Sequence, residues 1–341
     1  LNRAHAAGTT PMPIDFEREL NPAQLEAVRA VEGPVLVIAG AGSGKTRTIV
    51  YRLAHMVEQG IAPESILLLT FTRKASQEML RRAEELLAHS GQLFGQTLAV
   101  QGGTFHSLAY AVLRRHTAPG YPAQVTVMDR ADAEALLGQL KADLALGKGD
   151  KSFPKVSTVL ELLGKVRNKE LELAEVLTRE AYHLVAYADD FVRLQHAYAA
   201  FKRGHGLLDY DDLLFCLEDL LRQSPEVLES LQGRFGYLMV DEYQDTNLVQ
   251  ARLVRLLAGE RANVMAVGDD AQSIYAFRGA DVRNILNFPT IFPNARCIKL
   301  ERNYRSTQPI LDFTNRILEA APAAFHKELY TERTEGPTPQ L

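Results

Sequence analysis

A glycine-rich loop between an apolar run and an amphipathic segment is the feature that most constrains the fold of this chain. Residues 35–39 form the apolar run, residues 40–44 carry the glycines, and residues 45–58 have apolar side chains at helical spacing. Because a buried strand, a tight loop and a helix N-terminus then follow one another, backbone N–H groups converge where phosphate oxygens can bind. The order predicts a parallel α/β sheet with a phosphate-binding loop after its first strand.

The chemistry of the loop assigns a role to each part of it. Glycines let the backbone curl around phosphate oxygens, Lys45 can reach the β- and γ-phosphates, and Thr46 can offer its hydroxyl to Mg²⁺. The pattern G-x-x-x-x-G-K-[ST] is matched except at its first place, which is Ala39. We expect the nucleotide to contact Ala39, Gly40, Ala41, Gly42, Ser43, Gly44, Lys45 and Thr46.

A second apolar run, residues 237–240, ends in the adjacent carboxylates Asp241 and Glu242. Successive side chains of a strand point to opposite sides, so the two carboxylates can take different tasks. One of them can hold the metal through water while the other orients or deprotonates the water that attacks the phosphate. We expect the metal at Asp241 and the catalytic role at Glu242. An acidic turn facing solvent is the alternative, and the upstream phosphate loop disfavours it.

Strand and helix signals alternate at both ends of the chain and change character in the middle. Further strand signals lie at residues 66–71, 98–100, 264–267 and 298–300, and helix signals at residues 74–89 and about 107–115. Residues 112–204 instead show helical periodicity broken by glycine and proline, with one strand-like run at residues 125–128. The sequence therefore predicts an α/β core, residues 14–111 and 205–299, interrupted by an inserted helical domain, residues 112–204.

Charge and cysteine content exclude some classes of protein. Lys and Arg total 38 against 42 Asp and Glu, a net charge of -4, so any basic surface for nucleic acid has to be local. Two cysteines, Cys216 and Cys297, are too few for a disulfide framework or a Cys-rich zinc site, which favours a reducing cytoplasm.

No apolar run approaches the ~18 residues of a membrane span, so we expect no membrane partner. Residues 1–11 lack the apolar region of a secretory signal. We expect Met12 to be the natural start and residues 1–13 to be a leader or a disordered segment.

The residues around the carboxylates resemble a helicase signature. DEYQDTN, residues 241–247, is similar to the D-E-x-Q-D-T motif of superfamily 1 DNA helicases of the UvrD/Rep/PcrA type. Other segments resemble further motifs of that family, in the family's order, over nearly the whole chain from about residue 20. They are LNPAQ at 20–24, TFTRKA at 70–75, GTFHS at 103–107, LDYDDLL at 208–214, VGDDAQSIYAFRGA at 267–280 and LERNYRST at 300–307. Arg73 departs from the family's usual Asn, and Phe277 stands where Trp is frequent.

The resemblance implies a RecA-like P-loop NTPase fold with an inserted helical domain. It also implies an ATP- and Mg²⁺-dependent helicase or translocase that moves 3′ to 5′ on single-stranded DNA. In such a protein Gln24 reads the adenine edge, and Arg47 and Tyr304 offer flat faces to the base. The alternative is that such residues are an ordinary surface arginine and an ordinary interior glutamine, which is the more common case outside these motifs.

The same resemblance completes the catalytic set. Gln272 would report whether a γ-phosphate is present, and Arg305 would act as an arginine finger on it. Together with Lys45 and Glu242, these residues are the predicted catalytic group.

The resemblance also places a track for the DNA strand, since aromatic faces can stack on bases. The predicted track comprises Phe71, Thr72, His106, Tyr210, Tyr275, Phe277 and Arg278. A single aromatic residue is more often part of a core, and that alternative stays open for Phe71, Tyr210 and Phe277. Seven Lys or Arg against three Asp or Glu in residues 141–169 fit either a DNA duplex or an ordinary solvated helix surface.

We expect single-stranded DNA and single-strand/duplex junctions as partners, with repair or replication proteins as further candidates. A DNA-binding module that uses the nucleotide as a switch, without motor activity, is the rival interpretation. A small-molecule P-loop kinase is a third, but it would need neither Gln272 nor the aromatic track. The pathway (mismatch repair, excision repair or replication restart) and the oligomeric state are left open by the sequence.

Two later motifs of the family, T-x-H-x-x-K-G-L-E and Y-V-A-x-T-R-A, have no counterpart in the chain. In the family they lie on a second RecA-like domain, which completes the ATP site from its far side. We therefore expect residues 300–341 to be the start of a truncated second RecA-like domain. We also expect the chain alone to show weak or absent DNA-stimulated ATPase and no unwinding.

Overall fold

A parallel β-sheet organises the computed structural model, which describes residues 13–91, 97–320 and 325–339. The strands are β1 (Val35–Ala39), β2 (Ile66–Leu69), β3 (Gln101–Gly103), β4 (Thr126–Val127), β5 (Leu207–Leu208), β6 (Tyr237–Val240), β7 (Val264–Gly268) and β8 (Arg296–Leu300). Within the described residues, six of them form one sheet in the order β3-β2-β6-β7-β1-β8. The predicted α/β class is confirmed. Met12 and residues 1–12 of the expected leader lie outside the described residues.

The centre of the sheet carries the two loops that matter most for function. Strand β1 pairs in parallel with β7 and β8, and β6 pairs in parallel with β2 and β7. The carboxyl ends of parallel strands meet at one edge, so the phosphate loop after β1 and the carboxylates after β6 lie on the same side of the sheet.

Helices cover both faces of this sheet. The described helices, not all of which lie on the sheet, are α1 (Phe16–Glu19), α2 (Pro22–Arg29), α3 (Lys45–Glu58), α4 (Arg73–His89), α5 (Phe105–Leu113), α6 (Arg130–Asp143), α7 (Val156–Lys169), α8 (Leu173–Glu180), α9 (Ala188–His205), α10 (Asp212–Gln223), α11 (Pro225–Arg234), α12 (Leu248–Ala258), α13 (Arg283–Leu286), α14 (Phe288–Ile291) and α15 (Gln308–Glu319). Strand β1 alternates between the faces: Leu36 and Ile38 pack with α5, α10 and α12, whereas Val35 and Val37 pack with α2, α3 and α4. A strand buried on both sides is typical of a parallel sheet between helix layers.

The helical segment in the middle of the chain has an apolar cluster of its own. Helices α6 to α9 bury side chains from Met128 to Tyr198 against one another. Val112 and Ala118 pack instead on the sheet, so the separate cluster starts after them. The short parallel pair of β4 and β5 joins the beginning of this segment to its end.

Several element boundaries differ from the sequence prediction, and two of the differences have a local structural reason. The second strand ends at Leu69, because the Thr70 hydroxyl donates to the Thr72 carbonyl and turns the chain. The third strand lies at Gln101–Gly103 and not at residues 98–100. A Cβ atom on Gly102 would lie 2.4 Å from Oγ of Ser76, so the glycine allows this strand to approach α4.

The chain beyond β8 returns to the sheet edge next to the phosphate loop. Arg302 and Tyr330 form an isolated parallel bridge, and Lys327 and Leu329 are buried. A Cβ atom at Gly40 would lie 2.5 Å from a methyl group of Leu329, so this segment packs directly on the loop. None of the described helices is both long and apolar enough to cross a lipid bilayer.

Candidate nucleotide and nucleic-acid site

The phosphate loop joins β1 to α3 through left-handed glycines. Gly42 has φ of 76° and Gly44 has φ of 90°, conformations that favour glycine. The Ser43 hydroxyl is buried and donates to the Gly40 carbonyl at 2.7 Å, which closes the turn. Lys45 then opens α3, so the loop and the helix N-terminus present their N–H groups together.

Side chains from two distant segments hold the loop carbonyls in place. Gln24 Nε2 donates to the Ser43 carbonyl at 3.1 Å, and Asn303 Nδ2 donates to the Ala41 carbonyl at 2.5 Å. The Tyr304 N–H donates to the Gly42 carbonyl at 2.9 Å. Because the N–H of a trans peptide points away from its carbonyl, these bonds turn the N–H groups of Gly42 and Gly44 to the side where a phosphate can bind. The Ser43 N–H instead donates to the Gly40 carbonyl at 3.1 Å.

Lys45 and Glu242 meet at the base of the loop. Lys45 Nζ donates to Glu242 Oε2 at 2.7 Å, and the side chains are 12% and 33% exposed. Glu242 has φ of 50°, a left-handed conformation that is uncommon for a residue with a side chain. This turn carries its carboxylate back toward the phosphate loop. A γ-phosphate entering here would compete with Glu242 for the ammonium group.

Asp241 has the features of a cation ligand. Its Oδ1 atom is buried and has no hydrogen-bond partner among the described residues. Burial, followed by the neighbouring Glu242 charge, raises the pKa of Asp241 to about 7. Thr46 is the second residue of α3 and directly follows the phosphate loop and Lys45. A partnerless carboxylate oxygen and a hydroxyl beside a phosphate loop fit Mg²⁺, which takes few protein ligands when phosphates supply the rest.

The predicted adenine contacts lie at one rim of the loop with their polar atoms already engaged. Gln24 is 1% exposed, and its Oε1 accepts from the Asn21 N–H at 3.2 Å. Asn21 Nδ2 donates to the Tyr304 hydroxyl at 2.9 Å, which joins two members of the predicted set. Arg47 is turned toward Glu19, with Nη2 2.6 Å from the carboxylate. The structure thus brings Gln24 and Tyr304 together and directs Arg47 to a neighbouring ion pair.

Arg305 stands over the phosphate loop. Its Cβ would lie 2.8 Å from a Cβ placed on Gly42, and its backbone N–H donates to Oδ1 of Asn303 at 2.8 Å. The side chain is exposed, and no carboxylate pairs with it among residues 13–91, 97–320 and 325–339. The guanidinium group is therefore available to an anion bound at the loop.

Four members of the predicted DNA track form one aromatic strip, which we define as Phe71, Tyr275, Phe277 and Arg278. Phe71 and Tyr275 stack with centroids 5.0 Å apart, and Tyr275 lies 6.0 Å from Phe277. The Arg278 guanidinium lies over both Tyr275 and Phe277, at 5.4 and 5.5 Å. Phe71 is 44% exposed and Phe277 58% exposed, so these rings are surface groups and not core.

His106 and Tyr210 form a second stacked pair, with centroids 3.9 Å apart. Tyr210 is exposed, and burial lowers the pKa of His106 to about 4, so the imidazole is neutral at physiological pH. Thr72 is exposed and caps α4 by accepting from the Ala75 N–H. It lies next to Phe71 in the chain, at the margin of the strip.

One cavity connects the aromatic residues with the carboxylates. It has a volume of about 560 Å³ and lies between the sheet edge and helix α7. Its lining includes Phe71, His106, Tyr210, Asp241, Glu242, Tyr275, Phe277 and Arg278. The same space therefore touches the predicted DNA track and the predicted catalytic carboxylates.

Comparison with known proteins decides the family. The profile of the UvrD/REP helicase N-terminal domain matches residues 20–293. The chain belongs to the UvrD/REP helicase family. A relative named ATP-dependent DNA helicase PcrA, from Bacillus subtilis (strain 168), is 40% identical over 324 residues. A protein of the same name from Leuconostoc citreum is 39% identical over 319 residues. Each alignment covers 93% of this chain but only 42% and 41% of the relative, so the chain spans about two fifths of their length.

Membership of the UvrD/REP family agrees with the predicted P-loop NTPase fold and with the resemblance read from the motifs.

The helical cluster of this UvrD/REP family member is tied to the cavity by a row of amides. Asn168 Nδ2 donates to Oδ1 of Asp211 at 3.0 Å, and Asn247 Nδ2 donates to Oδ1 of Asn168 at 3.0 Å. A Cβ on Gly279 would lie 2.7 Å from Cβ of Asn168, so the chain after the aromatic strip also packs here. Asn168 is thus the point where α7 meets both predicted ligand-binding segments.

The basic stretch of residues 141–169 divides into paired and exposed groups. Lys165 and Lys169 both pair with Glu180, and Arg167 lies 3.5 Å from Asp212. The exposed members of the stretch include Lys148, Lys151 and Lys155. The positive face is therefore smaller than the sequence count indicates.

Sequence reasoning missed the residues that hold the predicted ones. Asn303, the first residue of the N-Y-R-S-T motif, was not assigned although it anchors the loop. Gln244 was also missed: its Nε2 donates to Glu242 at 2.9 Å and its Oε1 accepts from the Asp269 N–H at 3.0 Å. A buried amide two residues after a carboxylate is a signal that could have identified it.

Proposed function

We propose that this chain is the ATP-binding part of an ATP-dependent DNA helicase that couples ATP hydrolysis to binding and unwinding of DNA. The observation that carries the proposal is the cavity shared by Asp241, Glu242 and the aromatic strip. A site where stacking faces and catalytic carboxylates border one space allows occupancy by DNA to influence hydrolysis directly. The relatives' name, ATP-dependent DNA helicase PcrA, supports the same activity.

On the nucleotide side, the loop N–H groups and Lys45 would hold the β- and γ-phosphates. Glu242 would orient and deprotonate the attacking water, and Arg305 would balance charge on the γ-phosphate. Gln272 would sense that phosphate. The adenine would lie at the rim between Gln24 and Tyr304, with Arg47 leaving Glu19 to cover it.

Thr46 and Asp241 would hold Mg²⁺. The ion would neutralise phosphate charge and leave the protein groups to position the reactants. Because Asp241 already has an unpartnered buried oxygen, this role needs no rearrangement of its hydrogen bonds.

On the DNA side, the aromatic strip and the His106–Tyr210 pair would stack on bases, with Thr72 and Arg278 contacting the backbone. We propose single-stranded DNA and single-strand/duplex junctions as the substrates, and 3′ to 5′ movement. Helices α6 to α9, within residues 112–204, would form the inserted domain beside the junction, between core segments 14–111 and 205–299. Residues 300–341 would begin a second RecA-like domain. Repair or replication proteins would be the partners of this chain. Its location would be a reducing cytoplasm, which suits the free cysteines Cys216 and Cys297.

The decisive experiment measures hydrolysis and DNA binding on the purified 341-residue chain. Since we expect a low rate, ATP hydrolysis is followed in single turnovers with protein in excess, with and without oligothymidylate. We expect DNA to accelerate hydrolysis by this chain at most weakly and Glu242→Gln to abolish any such acceleration, whereas Glu64→Gln, an exposed control, leaves it intact. Nucleotide-dependent DNA binding with no hydrolysis would favour the switch without motor activity.

Direction is tested with duplexes that carry either a 3′ or a 5′ single-stranded tail. Any ATP-dependent displacement should favour the 3′ tail. Preference for the 5′ tail would contradict the proposed polarity. Fast displacement by this chain would contradict the expectation that it does not unwind DNA alone.

A further inference from the structure

A buried cluster of charges lies beneath the predicted γ-phosphate sensor. Lys327 Nζ is 2.7 Å from Oδ1 of Asp269 and 2.7 Å from Oδ1 of Asp270. The three side chains are 2%, 4% and 3% exposed. One ammonium thus balances two adjacent carboxylates at the end of β7, out of contact with water. Buried charges are costly unless paired, so such a cluster is held to a narrow geometry.

Only one of the two carboxylates continues toward the nucleotide site. Oδ2 of Asp269 accepts from Nε2 of Gln272 at 2.6 Å. The Asp269 N–H in turn donates to Gln244, whose amide reaches Glu242. Asp270 leads elsewhere: its Oδ2 accepts from the N–H of Phe325 at 3.2 Å.

Lys327 lies 55 residues or more beyond this turn in the chain, and both carboxylates with which it pairs belong to the turn. Burial alone would lower the pKa of Lys327, but the hydrogen bonds with Asp269 and Asp270 outweigh burial and raise it. The lysine therefore stays charged, and its contact with Oδ1 of Asp269 orients that carboxyl group. With Oδ1 held by the lysine, Oδ2 of Asp269 is directed at the Gln272 amide, from which it accepts at 2.6 Å.

We propose that Lys327 is a positioning residue which, through Asp269, holds Gln272 in the orientation that distinguishes ATP from ADP. The proposal rests on the proposed function, because it needs Gln272 to sense the γ-phosphate. The competing explanation is that Lys327 only stabilises the fold by pairing two buried acids.

Asp270 supplies the matched control. Asp270→Asn and Lys327→Met each remove one charge from the same buried cluster, so both should lower the melting temperature. Only Lys327→Met disturbs the carboxylate that holds Gln272. Both explanations predict a lower melting temperature for the two variants. They differ in the preference for ATP over ADP, which Lys327→Met changes only if the lysine positions Gln272.

The experiment measures the affinities of fluorescent ADP and of a fluorescent non-hydrolysable ATP analogue for the folded variants. We expect Gln272→Ala to reduce the preference for the ATP analogue by about 10-fold, as for loss of one hydrogen bond to a charged group. Lys327→Met should reduce the same preference by a similar factor, and adding it to Gln272→Ala should cause no further loss. Asp270→Asn should keep the wild-type preference, and Lys327→Arg should restore part of it.

An unchanged preference in Lys327→Met, with Gln272→Ala impaired, would overturn the proposal and leave a structural role. An unchanged preference in Gln272→Ala itself would refute the sensor, which is a failure of the proposed function. If Lys327→Met does not fold, Lys327→Gln in the Asp270→Asn background carries the same test with only one buried charge remaining. The expected outcome there is the same loss relative to Asp270→Asn alone, and its absence overturns the proposal.

Discussion

The phosphate loop and the aromatic strip border the same carboxylates but are held by different forces. Directional hydrogen bonds from Gln24, Asn303 and Tyr304 fix the loop. Contacts between the rings hold the aromatic strip together, and its side chains are partly exposed. The difference suits their predicted ligands, because a triphosphate has one shape whereas a DNA strand offers bases of several shapes to one surface.

The spacing of the strip adds a second contrast. Phe71 and Tyr275 are 5.0 Å apart, too close for a base, since a ring between two others needs about 7 Å from twice the ~3.5 Å contact distance. A base must therefore displace one ring or stack on an outer face. The phosphate loop needs only Lys45 to exchange Glu242 for a phosphate.

The largest effect should come from Lys45→Ala. The loop has no other cation to place between the β- and γ-phosphates, so ATP affinity should fall by about 10³-fold. Titration with a fluorescent ATP analogue measures it, with the exposed Lys148→Ala as the control. Single-stranded DNA affinity without nucleotide should stay within about twofold, because the strip does not depend on this lysine. Near-normal ATP binding would remove Lys45 from the site.

Glu242→Gln should separate binding from hydrolysis. The amide keeps the shape but cannot take the proton, so single-turnover hydrolysis should drop by about 10²-fold. ATP affinity should be kept or rise by about fivefold, because the variant loses the ion pair that competes for Lys45. Quench-flow and nucleotide titration measure the two quantities. An equal loss of both would make Glu242 a structural residue or a metal ligand.

Removal of a ring from the aromatic strip should weaken DNA binding and leave the electrostatic part of the binding free energy unchanged. Tyr275→Ala or Phe277→Ala should cost ~1–3 kcal/mol in single-strand affinity, as for loss of one base stack. The slope of log affinity against log salt should be unchanged, since no phosphate contact is lost. Fluorescence anisotropy over a salt series measures both, with the exposed Tyr182→Ala as the control. A steeper or shallower slope would contradict a pure stacking role.

The smallest effect concerns the pH dependence of stability at His106. Its folded pKa of about 4 lies below the ordinary value of 6.5, so the unfolded chain binds more protons between these values. Stability from this group is present above pH 6.5 and is lost as pH falls toward 4. His106→Gln should reduce this loss by on the order of 1–2 kcal/mol, relative to the exposed His116→Gln, in urea unfolding at a series of pH values. Identical pH profiles would contradict a buried neutral imidazole.

Sequence periodicity predicted the sheet well where strands are apolar. The run 237–240 and the helix 45–58 have the same limits in the structure. Strand β3 was not predicted at its observed place because Gln101–Gly103 has little apolar content. Its position depends on the space that Gly102 leaves for Ser76. That contact joins residues 26 positions apart and leaves no local pattern.

The motifs predicted the site residues. They did not predict the contacts that hold these residues in place. Asn303 reaches Ala41 across 262 residues, and Lys327 reaches Asp270 across 57. Neither pairing has a spacing signal, because the sheet order brings the segments together. The left-handed turn at Glu242 is likewise invisible in composition, since glutamate gives no sign of a positive φ.

The cavity beside the carboxylates has a pharmacological consequence. Its described lining includes Lys165 and Asn168 of α7 but none of residues 40–46 of the phosphate loop. If the cavity seats the DNA strand, a small molecule bound between α7 and the aromatic strip, away from Asp241 and Glu242, would compete with DNA and leave the phosphate loop open to ATP. Its selectivity would come from helix α7 and not from the phosphate loop that so many nucleotide-binding proteins share.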